Sequence, residues 1–232
     1  MKPKIGITAE SGKTSKAYAG ALAACGAKTV VFPNDAARID AALDSVTGIL
    51  LTGGLDVDPA LYGQPAHPTT ETVSRERDAF ERALVRRARE RDMPTLAICR
   101  GVQIANVAFG GNLIQHVPDA FGNRIPHQVV PKNTKVVDDH VVDVAPDTLL
   151  AQIVKRARFA TNSRHHQALG ALASDLRAVA RTADDVVEAV EARFPARFWL
   201  GVQWHPESTL DHDGGESRAI FEAFVVAAAR TP

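Results

Sequence analysis

In the N-terminal half, short runs rich in β-branched and aliphatic residues alternate with stretches of helical periodicity, and this alternation constrains the fold most. The strand-like runs cover residues 4–8, 28–32, 48–52 and 94–99. Between them lie residues 15–25, closed by Gly26, and residues 75–91, where Ala79, Phe80, Ala83, Leu84 and Ala88 fall on one helical face. Strands separated by helices connect by right-handed crossovers, so an α/β domain with a mostly parallel sheet flanked by helices is expected. The later part differs. Residues 136–144 alternate as a half-exposed strand would, while 176–180 and 186–193 read as an antiparallel pair joined around 182–185. A small antiparallel extension should follow, then a last apolar strand at 198–203 and a closing amphipathic helix at 216–229. The loops 63–72 and 119–133 have the proline and glycine content of ordered surface loops bordering a site.

A chain of 232 residues suits one such domain with one large core, spanning residues 1–232. Lys plus Arg and Asp plus Glu both number 27, so no excess charge draws nucleic acid or an anionic membrane surface over long range. Arg86, Arg87, Arg89 and Arg91 alternate with Glu81, Glu90 and Asp92 and read as a solvated helix face. Cys25 and Cys99 are too few for a disulfide framework, and neither a secretion signal nor a membrane span is visible. A reducing, cytoplasmic setting is expected. Oligomeric state is open, and a homodimer is compatible with all of this.

The chemistry concentrates at two strand ends. Residues 94–101 pass from an apolar strand through small residues flanking Cys99 into a helix start at Val102, Gln103 and Ile104. This is the layout of a nucleophile elbow, a tight strand-to-helix turn that places the sulfur in the open at a helix N-terminus. Backbone amides and the helix dipole there favour the thiolate and can also hold an oxyanion. Cys25, at an apolar helix end, reads as packing. The second site is His205-Pro206-Glu207, following the apolar run ending at Gln203 and Trp204. Side chains two apart on extended backbone share a face, so the carboxylate can meet the imidazole.

Six segments in order carry a resemblance over nearly the whole chain. They are Lys4-Ile5-Gly6-Ile7-Thr8; Thr52-Gly53-Gly54-Leu55-Asp56-Val57-Asp58-Pro59 with Tyr62-Gly63; and Arg77-Asp78-Ala79-Phe80-Glu81. The others are Ile98-Cys99-Arg100-Gly101-Val102-Gln103 with Asn106 and Gly110-Gly111; Asn162-Ser163-Arg164-His165-His166-Gln167; and Gly201-Val202-Gln203-Trp204-His205-Pro206-Glu207. Together they resemble the class I glutamine amidotransferase superfamily, and within it the γ-glutamyl-γ-aminobutyrate hydrolase family, also grouped as peptidase C26. The resemblance implies a flavodoxin-like sheet, with Cys99 as nucleophile, His205 as base and Glu207 as its partner. It also implies an oxyanion hole from the amides of Gly54 and Arg100, and a glutamyl-binding wall from Gln103 and the segment carrying Asn162, Ser163, His165 and His166. Two positions depart from the family pattern: Ala97 replaces a glycine, and Ser74 an aspartate before Arg77-Asp78. Ser74 remains a reasonable N-cap for the helix that follows.

The implied reaction is hydrolysis of a γ-glutamyl amide through a thioester, with a small-molecule substrate and no cofactor or metal. Paired histidines suggest a metal, but the sequence offers no obvious third ligand. One rival reading is a glutaminase subunit delivering ammonia to a synthetase partner, against which His165-His166-Gln167 stands. Another is a non-catalytic binding protein, against which the intact Cys99, His205 and Glu207 stand.

Overall fold

The computed structural model describes residues 2–9, 12–71, 73–128 and 140–230. The first half alternates as expected. Strand β1 (Lys4–Ile7) leads to helix α1 (Gly12–Ala24), β2 (Lys28–Val31), a short α2 (Ile39–Asp44), β3 (Gly48–Leu51), α3 (Arg75–Glu90), β4 (Thr95–Ile98) and α4 (Arg100–Ala108). Smaller pieces follow: β5 (Leu113–Ile114), α5 (Val117–Phe121), β6 (His140–Val144), α6 (Leu149–Val154), β7 (Arg158–Thr161) and β8 (Ala168–Leu169). The chain closes with β9 (Leu176–Arg181), β10 (Val187–Ala192), β11 (Trp199–Val202) and α7 (Glu216–Ala229). The expected strand at 136–144 is described from His140 onward; residues 136–139, the end of the 119–133 loop beyond Gln128, and Thr72 lie outside the described residues.

One nine-stranded sheet runs in the order β2-β1-β3-β4-β11-β10-β9-β6-β7. The pairs from β2 through β11 are parallel, and those from β11 through β7 are antiparallel. The antiparallel extension is therefore continuous with the parallel half. The last strand in sequence, β11, joins them by lying between β4 and β10. Strand alternation divides the core. Leu50, Leu96, Ile98, Leu200 and Val202 face a cluster with Tyr18 and Leu22 of α1 and Phe221 and Phe224 of α7. Ile49, Leu51, Ala97 and Trp199 face the other layer, with Phe80 and Leu84 of α3 and Val102 of α4.

Helix α3 departs from its expected face. Phe80, Leu84 and Ala88 are buried, but Ala79 is exposed, and Arg77, Asp78 and Glu81 turn inward. The stripe rotates because these three charged side chains pair in the interior, which also removes Glu81 from the solvated face. The rest of the basic stretch does sit at the surface, where Arg87 and Arg91 both pair with Asp40 of α2. Ser74 occupies the N-cap position with extended backbone, but its side chain makes no cap bond. Among the described residues, no helix is long and apolar enough to cross a membrane.

Candidate active site

Because β3, β4 and β11 are adjacent and parallel, their carboxyl ends lie side by side, where ligands bind in open α/β sheets. Gly53 and Gly54 follow β3, Cys99 follows β4, and His205 lies just beyond β11. Cys99 takes φ 52° and ψ −113° as the cap of α4, a conformation that non-glycine residues rarely hold, and its amide donates to Val202 O at 2.8 Å. The elbow needs Gly101, since a Cβ there would stand 2.3 Å from Leu51 O. Ala97 lies within β4 and outside the positive-φ residues, so the exchange from glycine costs no backbone strain. The sulfur is less open than expected. Cys99 is only 6% exposed, and a Cβ placed on Gly53 would approach His205 Cε1 to 3.0 Å and Cys99 Cβ to 3.6 Å.

His205 Nδ1 lies 2.7 Å from Glu207 Oε1. The expected contact forms on a different backbone, because Pro206–Ser208 is a 3-10 turn rather than an extended segment. A carboxylate only accepts, so Nδ1 carries the hydrogen and Nε2 is left for proton exchange. Burial works to lower the pKa of His205, but the negative charges of Glu207 and Cys99 outweigh it and raise the value well above the usual 6.5.

Two further groups fix the site. Asn162 binds the backbone of His205 at both polar atoms, and the Tyr18 hydroxyl accepts from Gly53 N at 2.9 Å. Burial, then the charges of Glu207 and Cys99, hold the Tyr18 pKa well above 10.0, so it stays a neutral phenol. Sequence reasoning missed Tyr18, which reads there as an ordinary aromatic in an apolar helix.

Behind the elbow lies a buried ion network. Arg77 Nε donates to Glu81 Oε1 at 2.9 Å, while its Nη2 donates to the carbonyls of Thr52 and Gly53 at 3.1 and 3.0 Å. Arg100 donates to both Glu81 and Asp78, and Asp78 Oδ2 accepts from Asp58 N at 3.0 Å. Two cations thus meet two carboxylates, and the network grips the residues on both sides of the elbow. The amides of Gly54 and Arg100 donate to no described backbone group. The motif residues Arg77, Asp78 and Glu81 carried this signal in sequence, but only as part of a resemblance.

Apart from the exposed Arg164, the segment with the paired histidines is buried, and His165 and His166 line a small pocket with Val117 and His127. Ser163 Oγ donates to His127 O at 2.6 Å, and His165 turns towards Glu188 in a separate cluster. His166 Nε2 lies 3.0 Å from Asp56 Oδ1, a hydrogen bond that raises its pKa. Gln103 Nε2 donates to Gln167 O and to Gln203 Oε1 at 3.1 and 3.2 Å. The amide group of Gln167 makes no hydrogen bond among the described residues.

The family model for peptidase C26 matches residues 4–207. The chain is 40% identical over 196 residues to a Mycobacterium tuberculosis protein named "Putative glutamine amidotransferase Rv2859c", covering 84% of this chain but 60% of that longer protein. It is 32% identical over 218 residues to the γ-glutamyl-γ-aminobutyrate hydrolase PuuD of Escherichia coli K12, covering 90% of this chain and 84% of PuuD. The glutaminase domain of Trypanosoma brucei CTPS, solved with bound acivicin, superposes with a TM-score of 0.62 at 17% identity, covering 99% of this chain and 95% of that one, a likeness of fold.

Proposed function

This chain belongs to the peptidase C26 family, and from that premise we propose that it hydrolyses γ-glutamyl amide bonds, of γ-glutamyl-γ-aminobutyrate or related γ-glutamyl amines, through a Cys99, His205 and Glu207 triad. The observation that carries the reading is the meeting of a cysteine on a strained elbow with a histidine held 2.7 Å from a carboxylate, at the ends of adjacent parallel strands.

In this mechanism the Cys99 thiolate attacks the γ-carbonyl carbon, and the resulting oxyanion accepts from the Gly54 and Arg100 amides. The His205 imidazolium gives its proton to the departing amine. The imidazole then takes a proton from water, which attacks the thioester and releases glutamate. Asn162 and Tyr18 act by positioning. Recognition of the glutamyl head falls to Gln103, His166 and the unpartnered amide of Gln167, while Ser163 and His165 support that wall from behind.

The test is hydrolysis by the purified chain over a panel of γ-glutamyl amines and glutamine, with mass spectrometry for a glutamyl adduct on Cys99. Turnover of γ-glutamyl amines with an adduct on Cys99 is expected. Turnover confined to glutamine would favour the glutaminase reading, which the amidotransferase name of the M. tuberculosis relative supports. No turnover of any γ-glutamyl compound would overturn both.

A further inference from the structure

We propose that His127, His140 and Glu188, completed by the neighbouring His165, form a binding site for one divalent transition-metal ion, with zinc the best fit. One donor atom from each of His127, His140 and Glu188 lies within 4.8 Å of the others, and all three residues are buried. His165 Nε2, 3.3 Å from Glu188 Oε1, stands just outside this mutually close group and is the donor that would complete it by a small movement. The ligands come from four separate segments: the turn after α5, the first residue of β6, the turn after β7, and β10.

Hydrogen bonds on the far side of two rings decide which nitrogens face inward. His165 Nδ1 lies 2.9 Å from Gln167 O, and a carbonyl only accepts, so Nδ1 carries the hydrogen. In the neutral ring, Nε2 then presents a lone pair towards Glu188. His127 Nε2 lies 3.1 Å from the Asp184 carboxylate, which leaves Nδ1 as a second inward lone pair, 3.4 Å from Glu188 Oε1. A ring nitrogen bonded to a carbonyl or carboxylate while the other points at a metal is the usual outer arrangement of histidine ligands.

The separations distinguish a metal from a shared proton. Charge-assisted N–H···O bonds close to about 2.7–2.9 Å. The inward nitrogens of His165 and His127 instead stand 3.3 and 3.4 Å from Glu188 Oε1, and His140 Nε2 stands 3.6 Å from Oε2; none of these atoms makes a hydrogen bond among the described residues. A tetrahedral zinc with bonds of about 2.0–2.1 Å places its ligands about 3.3–3.4 Å apart. Imidazole with one carboxylate is a borderline donor set that suits zinc rather than calcium or magnesium. With His165 drawn in as the fourth ligand the site has no open position, so the ion would be structural. It would brace the candidate active-site wall, because His127 O accepts from both Ser163 Oγ and His165 N, and Glu188 O accepts from Gln203 N.

The full chain, stripped with a chelator, reloaded with zinc and desalted, should retain about one zinc per chain and unfold at a higher temperature than the stripped protein. Cobalt loading should give the intense visible bands of a four-coordinate site. Glu188→Gln and His140→Gln should abolish retention, and Asp184→Asn should weaken zinc binding about tenfold or more. The half-buried, stacked pair His67 and His116 serves as the control, and its replacement by alanine should leave zinc retention unchanged. Substoichiometric zinc in the folded wild-type protein overturns the assignment, whatever the variants do. So does undiminished retention in folded His140→Gln, or zinc lost only when His67 and His116 are replaced. None of these readouts depends on the proposed hydrolase activity.

Discussion

Asn162 holds the backbone of His205 at both polar atoms: its Nδ2 donates to His205 O at 2.8 Å and its Oδ1 accepts from His205 N at 2.9 Å. One side chain on the turn after β7 therefore fixes where the imidazole after β11 can stand. If His205 is the base proposed above, Asn162→Ala should lower kcat about ten- to a hundredfold, with a smaller change in KM, because two bonds worth about 1 kcal/mol each position its ring. Asn162→Asp, which keeps one acceptor and loses the donor, should fall between. Unchanged kcat in folded Asn162→Ala would show that the clamp has no part in turnover.

Cys99→Ala should abolish hydrolysis without loss of fold, and Cys25→Ala should leave kinetics intact. Burial raises the Cys25 pKa above 9.0, so its thiol stays protonated near neutrality. Peptide mapping after brief iodoacetamide treatment checks both expectations, with substrate protecting Cys99 alone. Loss of turnover in folded Cys25→Ala would contradict its packing role.

Glu207→Gln removes the larger of the two charges that raise the His205 pKa above 6.5. The imidazolium then loses its proton at lower pH, and the alkaline limb of the kcat/KM profile should move downward while turnover falls about ten- to a thousandfold. Linkage carries the same sign. The folded imidazole holds its proton more tightly, so this pair stabilises the fold fully below about pH 6.5 and loses that contribution as pH rises through the folded value. A limb at the wild-type position would mean that Glu207 does not set the charge of His205.

Glu81→Gln leaves Arg77 and Arg100 with one carboxylate between them in the interior. Removing one partner of a buried pair costs about 3–5 kcal/mol, so the melting temperature should drop by about 10 °C. Thermal unfolding by circular dichroism reads this directly. A drop of a degree or two would mean that the network relaxes to water.

Gly101→Ala should be more disruptive than its single methyl group suggests. The new Cβ would meet Leu51 O at 2.3 Å, a backbone atom of a central strand that has no room to move. Soluble yield and urea unfolding should both fall sharply, by about 3 kcal/mol or more in stability. Near-normal stability would show that the elbow can shift.

The strand and helix runs, the elbow at Cys99 and the pairing of His205 with Glu207 were legible in the sequence because each depends on neighbours within a few positions. Period-2 and period-3.6 patterns, a cysteine between small residues and a histidine two places from a glutamate are local signals. Helix α3 shows where such reading stops. Its alanines marked one face, yet Arg77, Asp78 and Glu81 turned inward because Arg100 and the strand-end carbonyls waited for them there.

What only the tertiary structure decided is what depends on strand order. Placing β11 between β4 and β10 sets His205 beside Cys99 and within reach of Asn162, while the packing of α1 brings Tyr18 to Gly53. The same folding gathers His127, His140, His165 and Glu188, which no spacing in the sequence connects. Residues far apart in the chain meet only when the sheet closes its order, and that order is set by the packing of whole elements rather than by any local run of residues.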